Sequence, residues 1–180
     1  MYKNQFLYIC MVQMHWLNMK TRFIVIFLTL ISYISSTSLY SQSGKLPPFR
    51  MVLQTGKVFR AQDLPFEKPI IIIYFSPECE DCHEFMTEML EKYDDFLDAS
   101  IAMITYLSVD AVKSYVAEND MEKYPNFYIG TEGNTLFVAK YYGIRTFPFV
   151  ALYDKNGNLI KSYYSKQVNV NDLITRLKNL

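Results

Sequence analysis

The chain has 180 residues, of which 51% are hydrophobic and 20% are charged, a composition typical of one globular domain with a substantial core. Basic and acidic residues are balanced at 18 each. This balance argues against nucleic acid, or a membrane recognised through a polybasic tract, as the main partner.

A short apolar run near the N-terminus is typical of a secretory signal. Lys20 and Arg22 precede the run at 23–34, and small polar residues follow it over 35–43. A basic, then an apolar, then a small-residue segment is the order found in signal peptides. The run has 12 residues, fewer than the ~20 that cross a bilayer comfortably. The sequence therefore predicts export to the periplasm or another extracytoplasmic location.

The boundaries of this signal set the domain organisation. Met19 opens a better signal than Met1 does, and cleavage is predicted after Ser38 or Ser41. An uncleaved anchor formed by residues 23–40 is the alternative. The predicted divisions are a possible over-called start at 1–18, a signal peptide at 19–41, a linker at 42–48 and a domain at 49–180.

Removing residues 1–41 changes the charge and the cysteine count. That segment holds three basic residues and no acidic one, which leaves 15 basic against 18 acidic residues. Cys79 and Cys82 are then the only cysteines, and His83 is the only histidine. A disulfide across two intervening residues closes a tiny loop and restrains the unfolded chain very little. The pair is therefore better suited to chemistry than to structural cross-linking.

The first predicted elements lead into the cysteine pair. Residues 51–59 alternate around Thr55-Gly56-Lys57, which is typical of a hairpin. Residues 70–75 are β-branched or aromatic throughout, as in a strand buried on both faces. An amphipathic helix follows, and its apolar stripe is Cys82, Phe85, Met86, Met89, Leu90 and Tyr93.

The remaining elements alternate between strand and helix patterns. Asp110 is the predicted N-cap of the second helix, and residues 119–134 are ambiguous and could carry a short insertion. The other predicted elements are strands at 101–109, 149–153 and 159–164, helices to about 117, at 135–142 and at 170–180, and a turn at 154–158. This order predicts an α/β fold with a parallel central sheet and an antiparallel edge.

The position of the motif gives the two thiols different roles. Cys82 shares the apolar stripe of the helix, so we expect it to be buried. Cys79 precedes the first turn, so we expect it to be exposed near the helix N-terminus, where a thiolate is stabilised. The sequence therefore predicts that Cys79 attacks a substrate disulfide and that Cys82 resolves the mixed disulfide.

Two segments of the chain carry a family resemblance. YFSPECEDCHEF at 74–85 and IRTFPFVALYDKNGNLI at 144–160 resemble the thioredoxin superfamily, in particular its exported TlpA-like branch. The resemblance covers roughly residues 46–180. It implies a thioredoxin fold, a central mixed sheet flanked by helices, here with an N-terminal β-hairpin extension. It also implies that the Phe147–Pro148 bond is cis and that the backbone of Phe147 pairs with bound substrate.

The resemblance further implies how the protein works. We expect a monomeric thiol–disulfide oxidoreductase that exchanges with protein thiols and disulfides and draws electrons from an upstream donor, a membrane relay. Its redox group is the Cys79–Cys82 disulfide, with no added cofactor, no metal and no nucleic acid partner.

The chain departs from the family pattern in two places. Glu78 stands where many members have Trp, and Ile73 stands where thioredoxins have a buried carboxylate. The proton acceptor for Cys82 is therefore open between Glu84, Glu88 and a water molecule.

Charges around Cys79 predict its redox preference. Glu78, Glu80 and Asp81 disfavour a thiolate at Cys79, which predicts a reductant rather than an oxidant. Glu84 is a further residue that can tune the thiols. His83 is either a solvated helix residue or a group whose titration tunes the thiolate.

Two other functions fit part of the motif. Cys79-x-x-Cys82-His83 also matches the motif to which c-type haem is covalently attached, with His83 as the axial ligand. A non-catalytic binding module with a thioredoxin fold is the second alternative. Zinc is disfavoured because two Cys and one adjacent His do not complete a tetrahedral site.

Overall fold

The computed structural model describes residues 44–180. The predicted start at 1–18, the signal peptide at 19–41 and the possible anchor at 23–40 lie outside the described residues. Gln42–Leu180 forms one compact unit. Within residues 44–180, no helix is both long and apolar enough to cross a bilayer.

In residues 44–180, seven strands form one mixed sheet, and four α-helices flank it. The strands are β1 Arg50–Leu53, β2 Val58–Arg60, β3 Ile70–Tyr74, β4 Ser100–Thr105, β5 Phe127–Thr131, β6 Phe149–Tyr153 and β7 Leu159–Tyr164. The helices are α1 Glu80–Glu91, α2 Val109–Glu118, α3 Phe137–Tyr142 and α4 Val170–Leu177. The spatial order is β2-β1-β5-β4-β3-β6-β7. Strands β3, β4 and β5 are parallel, and the other neighbours are antiparallel.

Strand β3 separates two hydrophobic cores, which explains its unbroken apolar sequence. Ile71 and Ile73 face the core packed by α1, α2 and α4. Ile70 and Ile72 face the core that α3 and the segment before β3 cover. All four isoleucines are fully buried, as expected for a strand covered on both faces. The predicted α/β fold, with its mixed sheet flanked by helices and its N-terminal hairpin, is confirmed.

Strand β5 lies in the segment that the sequence left ambiguous. It pairs in parallel with β4 and antiparallel with β1, so it is part of the sheet and not an insertion. A Cβ atom at Gly130 would lie 2.7 Å from the Val52 carbonyl oxygen, so the close approach of β1 requires glycine there. Glycine weakens a strand pattern, which is why periodicity did not reveal β5.

The second helix begins earlier than predicted. The strand expected at 101–109 ends at Thr105, and Ser108 is the N-cap of α2. The Ser108 Oγ accepts a hydrogen bond from the Ala111 backbone N–H at 3.2 Å. Asp110, the predicted cap, lies in the first turn and pairs with Lys113. Both residues can cap a helix, and the sequence alone did not distinguish them.

Candidate active site

The cysteine pair lies where β3 ends and α1 begins. Cys79 is the N-cap residue of α1, and its backbone N–H donates to the Ser76 carbonyl at 3.1 Å. The Cys82 backbone N–H lies 3.3 Å from the Cys79 Sγ, which accepts it. A sulfur in this position receives a backbone donor and the positive end of the helix dipole. This geometry stabilises negative charge at Cys79.

The two thiols have different surroundings. Cys82 is 3% exposed and belongs to the core that contains Phe75 and Met86. Cys79 is partly exposed, less than the sequence led us to expect, because it packs against the edge of the same core. Burial, and then the hydrogen bond with Cys79, raises the pKa of the Cys82 thiol, against a smaller opposing effect of a Ser76 backbone hydrogen bond. Cys82 is therefore a protonated, sheltered thiol until a partner reaches it.

Alkylation of the reduced protein should distinguish the two cysteines. At pH 8 we expect Cys79 to react with iodoacetamide at least about ten-fold faster than Cys82, because the thiolate is the reactive form. The raised pKa of Cys82 means that its rate should stay low from pH 7 to 9. Timed quenching and peptide mass spectrometry give both rates. In urea the two rates should converge, and faster reaction of Cys82 in the folded protein would contradict this picture.

The predicted proline segment lies beside the motif. The Phe147–Pro148 peptide bond is cis, as the family resemblance implies. Pro148 is buried and shares one groove with Glu80 and Asp81, the residues between the cysteines. The proline therefore lies close to the residues that separate the two cysteines.

The groove beside Pro148 has a volume of about 590 Å3. Phe85, Pro148 and Val168 provide its apolar lining, and Lys166 is the only basic residue that lines it within residues 44–180. Its carboxylates come from α1, at Glu80, Asp81, Glu84 and Glu88. The acidic surroundings expected of the site from the sequence are therefore present on the α1 side of the groove.

Phe147 is held between two tyrosine rings. Its ring centroid lies 5.9 Å from that of Tyr74 and 6.0 Å from that of Tyr106, with both pairs stacked. Tyr74 ends β3 and Tyr106 follows β4. The segment predicted to pair with substrate is thus fixed by residues from the carboxyl ends of two parallel strands, where ligands bind in open α/β sheets.

The remaining predicted site residues fall in distinct places. Glu78 is exposed on the turn before Cys79, and Ile73 is fully buried in the core that contains Cys82. Glu84 and Glu88 line the acidic groove, and Glu88 pairs with Lys92 at 2.7 Å. The identity of the proton acceptor for Cys82 remains a prediction.

His83 turns back toward the chain before the motif. It is exposed, and its Nε2 lies 2.7 Å from the Pro77 carbonyl oxygen, to which it donates. One of the two ring nitrogens that could ligate a haem iron is thus engaged with backbone. This contact favours the dithiol interpretation over the haem interpretation.

Two features near the site had no signal in the sequence. Glu132 is a buried carboxylate that accepts the Tyr74 hydroxyl at 2.7 Å, but it lies in the ambiguous segment at 119–134. Tyr115 of α2 packs on Phe75 at a centroid distance of 4.9 Å. Burial raises the pKa of Tyr115. The apolar spacing of α2 could have placed Tyr115 in the core but not beside a cysteine.

The sheet topology, together with a dithiol at the strand–helix junction and a neighbouring cis-proline, defines the class of thioredoxin-fold proteins. A family model described as a thioredoxin-like domain matches residues 65–177. The chain therefore belongs to the thioredoxin-like family. No curated protein matches the sequence significantly.

Solved structures share this fold at low sequence identity. A secreted Mycobacterium tuberculosis disulfide oxidoreductase homologous to E. coli DsbE has a TM-score of 0.61 and 17% identity, covering 74% of this chain and 96% of its own. The exposed lipoprotein thioredoxin Etrx1 of Streptococcus pneumoniae has a TM-score of 0.55 and 20% identity, covering 74% and 100%. A thiol peroxidase from Chromobacterium violaceum has a TM-score of 0.63 and 17% identity, covering 75% and 83%.

Proposed function

We propose that this protein is an exported thiol–disulfide oxidoreductase that reduces disulfides in other proteins. The observation that carries this proposal is the asymmetry of the pair: Cys79 caps α1 and is partly exposed, whereas Cys82 is buried one turn later. Disulfide exchange requires a nucleophilic thiol that substrates can reach and a second thiol that is sheltered from them.

The exchange runs in two steps. The Cys79 thiolate attacks a substrate disulfide, forming a mixed disulfide and releasing one substrate thiolate. Cys82 then loses its proton and attacks the Cys79 Sγ, which forms the Cys79–Cys82 disulfide and releases the second substrate thiolate. Two electrons pass from the protein to the substrate. The backbone of Phe147, fixed by its stacking on Tyr74 and Tyr106, would hold the substrate strand beside Cys79.

Insulin reduction tests the enzymatic function. We expect the reduced protein to accelerate precipitation of the insulin B chain in the presence of dithiothreitol, and Cys79→Ser to lower the rate to that of dithiothreitol alone, because the nucleophile is lost. Turbidity at equal protein concentration is the measurement. Thr87→Ser, an exposed position on α1, is the control and should match the wild type. Equal rates for Cys79→Ser and wild type would instead support a non-catalytic binding module.

The acidic residues around Cys79 support a reducing protein. They oppose the stabilisation that the helix N-terminus gives to a Cys79 thiolate, and a less stable thiolate makes the reduced form less stable. We expect a potential closer to the roughly −270 mV of thioredoxin than to the roughly −120 mV of DsbA. Equilibration with glutathione or dithiothreitol gives the value. A result near −120 mV would contradict the proposed direction.

A charge-matched pair of variants isolates the contribution of these acids. Glu80→Gln with Asp81→Asn should raise the potential by about 10–20 mV, since exposed charge interactions are worth under about 1 kcal/mol. Glu91→Gln with Glu118→Gln removes the same charge at the far ends of α1 and α2. This control should leave the potential unchanged.

Location and electron supply follow from the same proposal. An exported reductant needs electrons from elsewhere, and we propose a membrane relay as the donor. The predicted signal at 19–41 supports export. Two proteins with the same fold are described as a secreted oxidoreductase and an exposed lipoprotein.

A further inference from the structure

Two arginines face each other on the N-terminal hairpin. Strands β1 and β2 are antiparallel, and Arg50 lies directly opposite Arg60, so their side chains leave the same face of the hairpin. Like charges in this position are destabilising. Neither guanidinium forms an ion pair with any residue in the part of the chain that the structure describes. Asp63 accepts the Arg60 backbone N–H at 2.8 Å, not its side chain.

The arginine pair belongs to a groove with a basic and apolar lining. The groove has a volume of about 430 Å3. Lys45, Arg50 and Arg60 are its charged residues, and none of the described residues that line it is acidic. Its apolar walls include Leu46, Phe49 and Phe66, and Phe66 is 49% exposed. We name this feature the basic groove.

The basic groove is separate from the dithiol site. Leu46, Phe49 and Ala61 pack on the core opposite the one that contains Cys82. Asn156 and Gly157 form another wall of the groove, in the turn after β6. Tyr153, at the end of β6, pairs with Ile70 at the start of β3. That wall therefore lies at the end of β3 away from Cys79.

We propose that the basic groove binds the anionic headgroups of a membrane surface. Peripheral proteins bind anionic membrane surfaces through cationic side chains and neighbouring exposed aromatic side chains. The mature chain is acidic overall, so the attraction comes from this local arrangement and not from net charge.

The chain that precedes the groove supports the same occupant. The groove begins at Lys45, and the ten uncharged residues at 35–44 connect it to the apolar run at 23–34. Ten residues span at most about 36 Å. If the run stays in the membrane, the groove cannot move far from the headgroups. If the signal is cleaved, the groove provides a peripheral attachment that leaves Cys79 on another face.

Vesicle binding by the compact unit Gln42–Leu180 tests the proposal without the apolar run. We expect this protein to sediment with vesicles of phosphatidylcholine and phosphatidylglycerol but not with phosphatidylcholine alone. Each cation near an anionic surface contributes about five-fold to the partition coefficient. Arg50→Ser with Arg60→Ser should therefore weaken binding about 25-fold, and Phe66→Ser should weaken it further.

The matched control removes two cations from the opposite side of the sheet. Lys113→Ser with Lys123→Ser has the same net charge as the arginine variant, and α2, which carries Lys113, packs on the core that contains Cys82. Screening limits distant charges at physiological salt, so we expect at most about a two-fold loss. Unchanged far-ultraviolet circular dichroism and alkylation rates would show that all variants are folded.

Three outcomes would overturn the proposal. The first is an equal loss of vesicle binding in the arginine variant and the lysine control. The second is equal binding to neutral and anionic vesicles. The third is release from vesicles by inorganic phosphate at constant ionic strength, which would indicate a site for a free anion. The inference does not depend on the oxidoreductase activity. A protein that does not bind vesicles could still reduce insulin. A protein that does not reduce insulin could still bind vesicles, so the two experiments test the two proposals independently.

Discussion

Cys82→Ser protein should accumulate as a mixed disulfide with its substrates, and Cys79→Ser protein should not. Removing Cys82 eliminates the thiol that releases the first intermediate, while Cys79 stays at the N-terminus of α1. In the reverse variant only Cys82 remains, and it is 3% exposed with a raised pKa. We expect at least about ten-fold more adduct with Cys82→Ser.

The measurement is non-reducing electrophoresis of proteins captured from the extracytoplasmic fraction. Dithiothreitol should release every adduct, and the variant with both cysteines replaced should capture nothing. Mass spectrometry of the released proteins would identify the substrates. Preferential capture by Cys79→Ser would reverse the assigned roles and would require a local opening that exposes Cys82.

The sequence predicted the elements that bear the cysteines because two different periodicities meet there. The four consecutive isoleucines of β3 have no polar face, and only a strand covered on both sides needs such a run. The apolar stripe of α1 repeats with helical spacing and includes Cys82, so the spacing alone was enough to infer that Cys82 is buried. The change from one pattern to the other also located the site.

The features that the sequence did not reveal depend on tertiary contacts. Gly130 is required by the approach of Val52, a residue nearly 80 positions away in the sequence. Glu132 resembles any surface glutamate until Tyr74 and α3 surround it. Local spacing carries no information about either contact. The same holds for the basic groove, whose cations become neighbours only when β1 and β2 pair.

Glu132 joins the end of β3 to the start of α3. One carboxylate oxygen accepts the Tyr74 hydroxyl at 2.7 Å and the Ala139 N–H at 3.3 Å, and the other accepts the Val138 N–H at 2.7 Å. Burial, and then this hydrogen bond, raises the pKa of Tyr74, so Tyr74 stays a donor across the range in which proteins are stable. Helix α3 has six residues and no cap from its own N-cap side chain, so it depends on Glu132.

Glu132→Ala is therefore expected to lower the free energy of unfolding by about 3 kcal/mol. It would leave two backbone donors and one hydroxyl without their partner, and each unsatisfied buried group costs about 1–3 kcal/mol before water enters. Glu132→Gln keeps one acceptor oxygen and should cost about 1–2 kcal/mol. Urea unfolding followed by circular dichroism gives these values. Asp110→Ala, which breaks an exposed ion pair with Lys113, should change stability by no more than about 0.5 kcal/mol.

A double-mutant cycle separates the tyrosine contact from the helix cap. If Glu132 acts partly through Tyr74, then Tyr74→Phe and Glu132→Ala should couple by about 1 kcal/mol, because each variant alone removes the hydrogen bond between the hydroxyl and the carboxylate. The Tyr74 hydroxyl bond to Glu132 fixes the ring that stacks on Phe147. Tyr74→Phe should therefore also raise the KM for insulin more than it lowers kcat. Coupling near zero with an unchanged KM would confine Glu132 to the support of α3. A stability loss for Glu132→Ala no larger than that of Asp110→Ala would contradict this role of Glu132, because removing a buried carboxylate that accepts three hydrogen bonds should cost stability.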